Sequence, residues 1–212
     1  MAKLQWNKMN AEVRESLGEF AVAVWELADK KAQYTKTKNA RKICLDTDLA
    51  DLEKLEKGDV KSVLRDKATI EKSIATLEKT IEDAKEAEKK IEDEIKKRMK
   101  NAYDLIPTKL FEAYENRVED SEAYGKAIAD FLTSINVAPT ASGIAVLRDT
   151  VGEKEVNGKA VVKNAESVGL TNHKKDAFCR MFLKGMCRDM IKANCLKLDR
   201  YKFEFVIEEK NK

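Results

Sequence analysis

A chain of 212 residues with 41 basic and 38 acidic side chains, a net charge of +3 and only 7% aromatic residues suits long solvated helices better than a large spherical core. Charge this close to balance gives no general pull toward nucleic acid or an anionic membrane, although the two ends are basic and the middle is mildly acidic. The opening MAKLQWNKMNAEVRESLGEF has no unbroken apolar run after its lysines and nothing later approaches roughly 20 consecutive apolar residues, so no secretory leader or membrane anchor is expected and the cytoplasm is the expected location.

The first predicted helix carries Val13, Leu17, Phe20, Val24 and Leu27 at alternating spacings of four and three, the heptad pattern of a helix seam. Lys31 and Tyr34 continue that seam, and after the polar stretch TKTKNARK apolar spacing resumes at Leu45, Leu49, Leu52 and Leu55. Lys57-Gly58-Asp59 then reads as a stop and a start together, because glycine tolerates the left-handed cap of one helix and aspartate can accept the free N–H groups of the next. A second heptad series follows through Ile70, Ile74, Leu77, Ile81, Ala84, Glu88, Ile91 and Ile95, predicting an exposed helix from about Asp59 to Ile106.

These signals predict a mainly α fold: a long antiparallel helical hairpin, a coiled coil, over residues 1–106 with its tip near Gly58, followed over 107–212 by a helical junction and a small α+β module. Folding at Gly58 sets Leu49 against Ile70, Leu45 against Ile74 and Lys31 against Glu88. A charged pair in a seam penalises slipped alignments, at some cost in stability. The same register sets Lys38 and Arg41 opposite Ile81 and Leu77, so those two aliphatic residues need cover from a break in the first helix, from the C-terminal part or from a second chain. Leu77 and Ile81 are therefore the candidate oligomer seam, and a homo-oligomer is expected.

Pro107 ends the long helix, and one further helix is predicted over 108–135, kinked around Tyr124-Gly125. Thr140 or Ser142 is a candidate cap for a short helix through Leu147. The run from Glu155 to Val162 reads as a hairpin turning at Asn157-Gly158, a helix follows over 172–194 with Thr171 as its cap, and the alternation of Tyr201, Phe203, Phe205 and Ile207 predicts a half-buried strand pairing with that hairpin.

Chemistry-bearing motifs are scarce. His173 is the single histidine, and Cys44, Cys179, Cys187 and Cys195 lack a CxxC spacing, which favours reduced, core-lining thiols over a zinc site. The acid runs Glu82-Asp83 and Glu92-Asp93-Glu94 interleave with lysines as solvated helix surface does, and no GxxxxGK[ST] or GxGxxG is present. No catalytic residue, cofactor or metal ligand is assigned. The one constellation that invites a partner is the stripe Arg180, Lys184, Arg188 and Lys192, placed opposite Phe178, Phe182, Met186 and Met190 on the last helix. Trp6 and Trp25 are read as bundle packing.

The leading expectation is a non-enzymatic structural or protein-interaction protein acting through its hairpin, with another protein as partner. Small lysine- and glutamate-rich chains occur among phage accessory and virion-assembly proteins, which makes a virion the alternative location. A second reading is a nucleic-acid-associated protein using the Arg180–Lys192 stripe. A third is an inhibitor whose acidic helix imitates phosphate spacing.

Overall fold

The computed structural model describes residues 4–152 and 173–206. The chain is mainly helical, with a small two-stranded antiparallel sheet near its C-terminal end. After a 3-10 turn at Trp6–Lys8, helix α1 (Ala11–Ala21) passes into a π-helical segment (Val22–Leu27) and on into α2 (Ala28–Glu56). The remaining helices are α3 (Lys67–Tyr103), α4 (Thr108–Glu115), α5 (Ser121–Ser134), α6 (Ala141–Gly152) and α7 (His173–Lys192), followed by β1 (Leu196–Asp199) and β2 (Lys202–Phe205). No helix among the described residues is long and apolar enough to cross a membrane.

The described residues divide into two compact units. One is Ala28–Glu94; the other joins the chain up to Leu27 with the chain from Ile95 onward. This partition differs from the expected 1–106 and 107–212. The apolar stripe of the first 27 residues and the end of α3 are buried in the same unit as the C-terminal elements, with Leu17, Phe20, Met99 and Ala102 at most 1% exposed.

In that unit α7 is the central element, in contact with α1, α4, α6 and β1. Its apolar face is buried as the opposed-stripe reading requires: Phe178, Phe182, Met186 and Met190 are all fully buried. The Phe178 ring packs tilted against Tyr114 with ring centres 4.5 Å apart, and Phe182 meets Phe131 edge-on at 5.8 Å. Gly18 allows α1 to approach β2, because a Cβ there would lie 2.4 Å from the Phe203 ring.

Three boundaries depart from expectation. Gly58 does end α2, with φ +86° and bonds from Asp59 N to Lys54 O and from Gly58 N to Leu55 O, a Schellman cap. Asp59, however, opens only a 3-10 turn (Val60–Ser62), its carboxylate accepting from Ser62 Oγ. The start of α3 falls to Asp66, which accepts from Thr69 N at 2.9 Å and Thr69 Oγ1 at 2.7 Å. The helix expected over 108–135 is two helices, divided at Asn116–Asp120, with Asp120 capping α5 through Ala123 N. Tyr124-Gly125 lies inside α5 without a break.

The final strand is present, but its partner is β1, in the register Leu196 to Phe205 and Leu198 to Phe203. The Asn157-Gly158 hairpin and the Thr171 cap lie outside the described residues. The turn between the strands holds Arg200 and Tyr201 at φ +41° and +74°, the left-handed region that a two-residue hairpin normally fills with Asn-Gly. Thr140 caps α6 as expected, accepting from Gly143 N at 3.1 Å.

Candidate interaction surfaces

Within the Ala28–Glu94 unit, α2 and α3 exchange polar side-chain bonds in opposite chain order. Lys31 Nζ donates to Glu92 Oε2 at 2.9 Å. One turn further along α2, Thr35 Oγ1 donates to Glu88 Oε1 at 2.6 Å, and Lys38 bonds the other oxygen of the same carboxylate. Lys38, then Thr35, then Lys31 hold the Glu88 carboxyl below its ordinary pKa. At the far end Arg65 reaches back to Asp48 and Asp51. Asp48 is 5% exposed, the one buried charged side chain among the described residues. Its carboxyl is held below the usual range first by Arg65 and then by Ser73. This Asp48–Arg65 clamp fixes a connection that turns Val63 inward while Val60 and Leu64 stand 67% and 102% exposed.

The observed partners correct the expected register. Lys31 bonds Glu92, four residues beyond Glu88, because α3 begins at Lys67 and the connection consumes the intervening chain. Helix α2 also continues unbroken through residues 35–41. Leu77 and Ile81, the candidate oligomer seam expected to need cover, are 8% and 9% exposed within the single chain.

The four cations of the Arg180–Lys192 stripe do not share one environment. Arg180 and Lys184 are half-buried, with Lys184 Nζ 5.6 Å from the centre of the Trp25 ring. Arg188 and Lys192 are exposed. Next to Arg188, α7 turns Asp189 to accept from Trp6 Nε1 at 2.7 Å, a link that ties the N-terminal turn to α7. Trp6, at 1% exposure, is core as expected.

All four cysteines are free. Cys179 and Cys187 are buried, and burial pushes the Cys179 thiol up to about 12 and the Cys187 thiol also upward, away from the thiolate that nucleophilic or ligand chemistry needs. Cys195 is half-buried and Cys44 is exposed. No group of three or more His, Cys, Asp or Glu side chains among the described residues has metal-binding geometry.

Sequence reasoning missed Asp48, Arg65 and Glu92. The signal that finds them is Asp66-x-x-Thr69, a helix-start pattern; with the second helix starting at residue 67, Lys31 meets Glu92 and Lys38 meets Glu88. No family model matches this sequence, and no match was found among curated proteins or solved structures.

Proposed function

We propose that this chain is a non-enzymatic protein-interaction module of the scaffold or assembly type, in which α2 and α3 form an antiparallel coiled-coil hairpin whose outward faces meet partners. The observation that carries this reading is how the hairpin's polar groups are used. The inward charges are matched, Lys31 with Glu92 and Lys38 with Glu88 across the two helices and Asp48 with Arg65 of the connection between them, while Ile43, Val60 and Leu64 are left 67% exposed or more. A scaffold that orders a loop and leaves aliphatic side chains outside is offering them to something. The proposed location is the cytoplasm, or a virion where the chain is phage-borne.

Nucleic-acid binding is the weaker reading, because only Arg188 and Lys192 of the stripe are exposed and the salt dependence of phosphate binding scales with the number of cations engaged.

Site-specific photo-crosslinking in cells tests the proposal, with the reactive residue placed in turn at Ile43, Val60, Glu78 and, as a control in the other unit, Asp149. The reading expects discrete protein adducts from the α2 and α3 positions and none from Asp149. Recovery of nucleic acid, or adducts confined to Asp149, contradicts it.

A further inference from the structure

One long helix runs from α1 through the π-helical segment at Val22–Leu27 into α2. A π turn closes its backbone bonds over five residues where an α-helix uses four, so it holds one residue more than the helix on either side; such turns are rare and occur mostly at functional sites. The extra residue here interrupts an apolar stripe. Val13, Leu17, Phe20, Val24 and Leu27 follow one another at spacings of four, three, four and three, and at 100° per residue all five fall within about 80°. Leu17 and Phe20 are fully buried, yet the π turn sets Leu27 back from their line.

Beyond the segment, little fixes which residues of α2 face α3. From Ala28 to Thr47 no side chain is buried, and Asp48 is the first that is. Over that stretch α2 is held by Lys31 on Glu92 and by Thr35 and Lys38 on Glu88. Each of these donors is preceded in the sequence by another donor: Lys30 before Lys31, Tyr34 before Thr35, Thr37 before Lys38. A slip of one residue therefore returns an ammonium to Glu92 and hydroxyls to Glu88. Further along, the same slip would put Thr47 in the place of Asp48, breaking the Arg65 clamp, and Asp51 in the place of the half-buried Leu52. The slip is confined to the chain before Asp48.

We propose that the extra residue travels along this helix, the π turn at Val22–Leu27 exchanging with a second placement between Lys38 and Asp48. In the second placement residues 22–27 are α-helical, Val24 and Leu27 rejoin the stripe of Leu17 and Phe20, and Lys30, Tyr34 and Thr37 take the positions of Lys31, Thr35 and Lys38 against α3. Helix α1 and the chain from Asp48 onward keep their phase in both placements, so neither end has to move. The register of α2 over residues 28–38 is thus a two-state element, and a ligand or partner that prefers one set of exposed side chains shifts it. The inference goes beyond the interaction-arm reading and stands without it.

Backbone amide relaxation dispersion on the full chain tests this, because helix register shifts fall in the microsecond-to-millisecond range; circular dichroism confirms that each variant is folded. Exchange is expected at amides 22–47 and not at 11–18 or 49–56. Deleting Glu26 removes the extra residue and leaves one regular α-helix with Lys31, Thr35 and Lys38 still against α3, so the exchange is expected to vanish. Two substitutions at half-buried positions bias the equilibrium in opposite directions and serve if the deletion does not fold. Lys30→Glu sets two carboxylates together in the second placement alone, and the dispersion amplitude is expected to fall several-fold. Lys31→Glu does the same in the observed placement, and the amplitude is expected to grow. Flat dispersion in the folded wild type, exchange spread evenly to Glu56, exchange that survives in a folded Glu26 deletion, or amplitudes that change the same way in both lysine variants overturns the migration.

Discussion

Trp6 Nε1 donates to Asp189 Oδ2 at 2.7 Å across 183 residues of sequence, from an indole that is 1% exposed. The bond satisfies the only polar atom of a large buried side chain and fastens the first described turn of the chain to α7, the central helix of its unit. Hydrogen bonds to charged acceptors contribute about 1.5–3 kcal/mol, so Trp6→Phe is expected to lower unfolding free energy by about 2 kcal/mol or more once lost packing is included. Asp189→Asn keeps an acceptor and costs less. Urea unfolding of the two variants beside wild type checks the order.

Two helical glycines separate packing from propensity. Alanine is worth about 1 kcal/mol more than glycine inside a helix. At Gly125 the nearest neighbour of a new Cβ is Ile144 Cγ2 at 3.8 Å, an ordinary contact, so Gly125→Ala is expected to stabilise by about 0.5–1 kcal/mol. At Gly18 the same change drives a methyl group into the Phe203 ring at 2.4 Å. Gly18→Ala is expected to destabilise by about 1–3 kcal/mol, the cost of overpacking, and Phe203→Leu in the same chain recovers part of it. Melting temperatures of opposite sign for the two alanine variants are the check.

The Asp48 carboxyl, held below its unfolded value by Arg65 and Ser73, links stability to acid. A carboxylate with a depressed folded pKa contributes stability that is complete above the unfolded value of about 3.9 and is lost as pH falls through the folded value. Wild type is therefore expected to lose stability below about pH 4, and Asp48→Asn to show a lower plateau at neutral pH with a flatter acid limb. Arg65→Met is expected to lower stability at pH 7, because it leaves the Asp48 carboxylate without its cation. Denaturant midpoints measured from neutral to strongly acid pH distinguish this clamp from exposed pairs such as Lys57 with Glu53, whose loss is expected to be nearly neutral.

The sequence made some of this legible and hid the rest for identifiable reasons. Heptad spacing located the long helices, because a 3.6-residue period with aliphatic residues such as Ile70 and Ile95 has few other readings. The opposed faces of α7 were legible for the same reason, and Phe178, Phe182, Met186 and Met190 are its buried side. The register between α2 and α3 was not. Two competing helix starts, Asp59 and Asp66, lie seven residues apart, and only the backbone shows that Asp59 is spent on a 3-10 turn. That one choice moved Glu92 to Lys31 and left Leu77 and Ile81 buried. The split of the basic stripe was equally hidden, since helical periodicity does not report that Trp25 lies beneath Lys184. Pairing of β2 with β1 turns on Arg200-Tyr201, a pair without the usual composition of a tight hairpin turn.

The claim that α2 and α3 work as one paired arm is tested most directly by exchanging the charges of Lys38 and Glu88, which bond each other across the two helices. Lys38→Glu and Glu88→Lys are each expected to lower stability by about 1 kcal/mol, since both side chains are only part-buried, and the double variant to recover most of that loss. Additive losses in the double variant, measured by urea unfolding, would contradict the pairing and with it the interaction arm.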